Sequence, residues 1–135
     1  MLGRKSYTPE ELAWGRATIS AQLDAYKKLA AEASGDALDA FDAHFFNNMV
    51  LVLDRPFVHR LRGSTGKDGN ALNEVELIVE SLLNNDGVFR GNNVIKYVPE
   101  ESVVKLNPGD RIQLTAESFE RLAETFFAEI EKRFL

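Results

Sequence analysis

Asp36-Ala37-Leu38-Asp39-Ala40-Phe41-Asp42-Ala43-His44-Phe45-Phe46-Asn47-Asn48-Met49-Val50-Leu51-Val52-Leu53 decides the fold class. Leu38, Phe41, Phe45, Met49 and Val52 recur at three- and four-residue intervals, the period of an α-helix. From Phe45 onward the stretch is apolar nearly all round, broken by Asn47 and Asn48. A helix of that kind is normally enclosed by other protein. It is therefore expected to be the central core element or to lie in a subunit interface. Pro56 ends it, because proline lacks an amide proton and restricts Arg55 before it.

Upstream, Tyr7-Thr8-Pro9-Glu10-Glu11 is a helix start. Thr8 caps the first amides, Pro9 suits the first helical position, and Glu11 completes a capping box. Leu12, Ile19, Leu23, Tyr26 and Ala30 then follow a helical stripe that Ser34-Gly35 ends. Trp14 lies off the centre of that stripe, placed to pack against a neighbour.

Downstream, a short third helix is expected through Phe57, Val58 and Leu61, stopping at Gly63. Asn70 caps a fourth, with Leu72, Val75, Ile78, Val79 and Leu82 as its apolar face. Asn84-Asn85-Asp86-Gly87 ends that helix. Thr115 caps the last one, whose stripe is Phe119, Leu122, Phe126, Ile130 and Phe134. Between them Val88-Phe89, Val94 to Val98 and Arg111 to Leu114 are β-like, separated by Gly91-Asn92-Asn93 and Asn107-Pro108-Gly109-Asp110. The expected fold is thus mostly α (α+β). It is a compact bundle of about four to five amphipathic helices, with a small antiparallel β element at about 88–114 before the C-terminal helix.

Length and composition bound the rest. At 135 residues, with no repeat and no linker, the chain fits one domain over 1–135. It contains no cysteine, which excludes disulfides, thiolate chemistry and all-Cys zinc sites. No apolar run of signal-peptide or membrane-span length follows the basic Met1–Ser6 stretch. A soluble, cytoplasmic protein with no membrane partner is expected. A net charge of −5 works against nucleic-acid binding.

One segment reverses that sign. Arg55, Arg60, Arg62 and Lys67, with His59, stand in a stretch free of carboxylates. Gly63-Ser64-Thr65-Gly66 follows, opening towards a helix N-terminus. Exposed amides and a helix dipole favour an anion, so Arg60, Arg62, Ser64, Thr65 and Lys67 form the candidate site for an anionic or phosphorylated small molecule. The phosphate-loop motif itself is absent: two residues separate Gly63 from Gly66, and Asp68 follows Lys67. The plain alternative is a solvated turn.

Other chemistry is thinly represented. His44 with Asn47 and Asn48 reads as a hydrogen-bonded polar patch on the second helix. The acids Asp36, Asp39 and Asp42, Glu76 and Glu80, and Glu120 and Glu124 read as solvated helix faces. No metal-ligand spacing, Gly-x-Ser-x-Gly elbow or cofactor fingerprint occurs, so neither a metal nor a cofactor is expected. The function expected first is therefore non-catalytic, through self-association as a homo-oligomer or through binding a partner protein. Aromatic-rich helices suit either role. The alternative is a small-molecule binder or enzyme using segment 55–70.

Overall fold

The computed structural model describes residues 3–135. Met1 and Leu2, which open the basic N-terminal stretch, lie outside the described residues. Among the described residues five α-helices form in chain order: α1 (Pro9–Glu32), α2 (Asp36–Asp54), α3 (Arg62–Thr65), α4 (Ala71–Asn84) and α5 (Ala116–Phe134).

Local chemistry accounts for most of their starts. Thr8 Oγ1 accepts the Glu11 amide at 3.1 Å while Glu11 accepts the Thr8 amide at 3.0 Å, a complete capping box with Pro9 in the first turn. Asn70 accepts from the amides of Leu72 and Asn73 and starts α4. Thr115 and Ser118 exchange the same reciprocal bonds at the head of α5. Gly35, at φ +97°, makes the tight reversal between α1 and α2 that a side chain would strain.

The long helices pack around one core that draws on Tyr7 at one end of the chain and Phe134 at the other. α4 packs on α2 and α5, and α5 also packs on α1 and α2. Phe46, Phe57, Phe89, Phe119 and Phe126 are fully buried. Phe57 meets Phe126 edge-on at 5.8 Å between ring centres, the arrangement favoured by aromatic quadrupoles. α1 can approach closely at Gly15, where an added Cβ would lie 3.0 Å from the Phe57 ring. Tyr7 ties the start of the chain to this centre by donating its hydroxyl to the Phe57 carbonyl at 2.8 Å.

α4, rather than α2, is the most enclosed helix. Ala71 through Val75, Leu77, Ile78 and Ser81 are all buried. On α2, Phe46, Met49, Val50 and Leu53 are buried while Phe41 and Val52 are exposed. The apolar back of α2 therefore meets solvent.

The antiparallel β element expected at about 88–114 is absent: no strand or sheet occurs among the described residues. One antiparallel bridge, Val88 with Arg111, marks where a hairpin would begin. Beyond it, apart from a parallel bridge between Asp68 and Lys96, side chains largely take the place of a neighbouring strand. Glu74 on α4 accepts the amides of Val103 and Val104, both at 2.9 Å. Asn92 accepts those of Val94 and Ile95. Tyr97 donates to the Leu106 carbonyl at 2.7 Å, and Asn47 on α2 bonds both the Ile112 carbonyl and the Leu114 amide. The apolar positions of this excursion are buried as a strand's would be, including Phe89, Ile95, Leu106, Ile112 and Leu114. A backbone satisfied from the side has no need of a ladder.

The expected third helix through Phe57, Val58 and Leu61 is likewise not formed. Arg55–Phe57 is a single 3-10 turn, and the four-residue α3 that follows contains Gly63 instead of stopping at it. A parallel bridge between Arg4 and Arg60 ties the intervening backbone to the start of the chain, and His59 beside it stands at φ +64°.

Candidate functional site

The basic segment folds back on the body of the protein. Arg60 has a side chain only 6% exposed, paired with Asp54 at 2.8 Å. Its guanidinium also donates to the carbonyls of Phe57 and Leu72 and lies 5.4 Å from the centre of the Phe126 ring. Arg62 donates from Nη2 to both oxygens of Glu76 at 2.9 and 2.7 Å, and from Nη1 to Asn73 Oδ1 and the Gly66 carbonyl.

The remaining members are spread around these pairs. Thr65 is buried, with its hydroxyl turned back to the Arg62 carbonyl. Ser64 is half-buried, and its carbonyl and that of Thr65 accept from Arg133 on α5. Lys67 is exposed. The loop amides of Ser64, Thr65 and Gly66 bond to the carbonyls of Leu61, Leu61 and Arg62, and those of Leu72 and Asn73 are held by Asn70. The segment thus brings Arg62, Thr65 and α4 together, while Arg60 faces Asp54 and Lys67 faces solvent. Arg60 and Arg62 are already paired with carboxylates, while Arg55 is exposed.

Both histidines are exposed. Asn47 is the member of the expected polar patch that makes core-side bonds, whereas His44 and Asn48 face outward. Several acids are engaged: Asp42 accepts from the Tyr26 hydroxyl at 2.6 Å, and Glu120 pairs with Lys27. Burial, reinforced by that bond to Asp42, pushes the Tyr26 hydroxyl up to about 12. Among the described residues no group of three or more His, Asp or Glu side chains is placed to hold a metal ion.

The most apolar opening lies elsewhere, between the first half of α1 and the end of α2. Trp14, Gly15, Thr18 and Ile19 form one wall, and Leu51, Val52, Leu53, Arg55 and Pro56 form the other and the floor, around a groove of about 380 Å³. A second hollow of about 330 Å³, lined by Glu10, Glu11, Trp14 and Pro56, adjoins it at Trp14 and Pro56. Trp14 is 61% exposed and Val52 37%. Further along the same helical hairpin, Leu29 and Phe41 are exposed too, and Phe41 stacks on Phe45, which stacks on Tyr26.

This surface was only half visible in the sequence. Trp14 stands out as off-stripe, but the expected neighbour does not cover it. The all-round apolar character of α2 is its other signal. Glu11, at the groove's acidic end, is fixed by Arg4 at 2.7 Å. That bond, then the Thr8 amide, lowers its carboxyl to about 2.

No helix among the described residues is long and apolar enough to cross a membrane. No protein-family model, curated protein or solved structure matches the chain, so the reading of the site rests on its own residues.

Proposed function

We propose that this chain is a non-catalytic interaction protein of the cytoplasm, acting by burying the apolar outer face of its α1–α2 hairpin against another protein. The observation that carries the reading is the groove floored by Val52 and Pro56 and walled by an exposed tryptophan. Tryptophan in a pocket that a partner can dry is the commonest kind of interface anchor. Large exposed apolar patches on small proteins mark such surfaces. Reading segment 55–70 as an anion site through Arg60, Arg62, Ser64, Thr65 and Lys67 has less support. An incoming anion would compete with Asp54 and Glu76 for the two arginines.

The test is site-directed photo-crosslinking in cells. A photoreactive side chain at position 14 or 52 is compared with one at Lys132, on the last turn of α5. Protein adducts at 14 and 52 but not at 132 are expected. Their absence at both groove positions overturns the reading.

A further inference from the structure

We infer that the occupant of this face is a second copy of the same chain, docked antiparallel about a two-fold axis. The inference rests on the reading above and names its partner. α1 presents an ordered row of side chains on its outer side. Glu10, Trp14, Ala17, Ala21, Ala25 and Lys28 recur at intervals of three or four residues, so they share one side of the helix, and all are exposed. The row is ordered: acid and bulk at its start, small residues in its middle, base at its end.

A row of that order matches its own reverse. Laid antiparallel with Trp14 over the partner's Ala25, the small residues around Thr18 and Ala21 meet in the middle. Lys28 then falls beside the first-turn acids Glu10 and Glu11 of the other copy. Large meets small and acid meets base twice over, as a two-fold interface requires of a self-complementary patch. A parallel arrangement would instead set Trp14 against Trp14 and acid against acid.

Area is adequate for such a pair. α1 and α2 rise about 36 and about 28 Å, and adjacent helices about 10 Å wide give a joint outer face of about 600 Å² per copy. Two such faces bury about 1,200 Å², the lower end of stable interfaces. The exposed Leu29, Phe41 and Val52 add apolar surface on the same hairpin.

Light scattering during size-exclusion chromatography of the full chain, across a concentration series, measures the association. The expected mass is twice the 15.1 kDa of one chain, falling towards one chain on dilution. Trp14 is the sole tryptophan, so its emission should shift to the blue as the dimer forms. Trp14→Ala should weaken association by more than about tenfold. Glu10→Lys and Lys28→Glu should each weaken it about fivefold or more, and their combination in one chain should restore it. Glu10 is chosen because Glu11 is committed to Arg4 and the helix cap.

A monomer at every concentration overturns the second copy as occupant. So does a dimer indifferent to Trp14→Ala and the charge swap, since it would use another face. Groove crosslinks to a different protein from a monomeric chain overturn this inference and leave the broader reading standing. Circular dichroism of each variant checks that the helices persist, as substitution at exposed positions predicts.

Discussion

Arg60 and Glu74 both carry ionisable groups that the fold encloses, and they behave in opposite ways. Arg60 is matched by Asp54, yet its Nε is buried with no hydrogen-bond partner and rests by the Phe126 ring. Breaking a buried pair from one side strands the other charge. Arg60→Met should therefore cost about 3–5 kcal/mol in urea unfolding. Adding Asp54→Asn to it should recover part of that loss, a coupling that a double-mutant cycle reads directly. Glu74 has no cation; it is held by two backbone amides. Burial raises its carboxyl above the ordinary range, against the lowering effect of the Val104 and Val103 amides. A carboxyl raised in the folded state holds its proton to higher pH than in the unfolded chain. Its contribution to stability is then greatest below the ordinary carboxylate value of 4.5 and is lost as pH rises through the folded value. Glu74→Gln cannot ionise. Its urea midpoint should gain on the wild type's as pH rises above the ordinary carboxylate value of 4.5, and a constant difference would contradict the sign.

At the scale of elements, what was legible in the sequence was the chemistry that acts within a few residues. The caps at Thr8, Asn70 and Thr115, the proline at position 56 and the glycine at 35 all act over one turn, and they place five helix ends to within a few residues. The segment 88–114 misleads for a physical reason. Alternating apolar residues report which side chains are buried, not what satisfies the backbone between them. Here Asn47, Glu74, Asn92 and Tyr97 supply bonds a strand would have supplied, and three of these lie on other elements or across a loop. The basic segment misleads in the same way. Arg62 looks unpaired along the chain because Glu76 stands fourteen positions on, one helix later. Asn47 tests the point most directly. Asn47→Ala leaves the Leu114 amide and Ile112 carbonyl without their partner, and should cost about 1–3 kcal/mol. Asn47→Asp retains an acceptor for the amide but loses the donor to the carbonyl, so it should fall between.

For the whole molecule, the difference between helical backbone and side-chain-held backbone sets an order of stability. Amides in α4 and α5 are bonded within helices whose inner faces line the core, so they should exchange with solvent only through global unfolding. After Val88 and Phe89 the 88–114 excursion has backbone–backbone bonds from Lys96, Glu101, Ser102, Gly109, Asp110 and Ile112, and otherwise hangs on individual side chains. It can open while the helices stay packed, provided Phe89, Ile95, Leu106 and Ile112 leave the core together. Native-state hydrogen exchange should therefore show Val94, Ile95, Val103 and Val104 opening at one common free energy, below that of Phe126 and Ile78. Glu74→Gln offers only one acceptor to two amides, and should speed exchange at Val103 and Val104 while α5 keeps its protection. If all of these amides instead exchange at the global rate, the excursion is an integral part of the cooperative core. Side-chain bonds would then hold it as tightly as a sheet would have done.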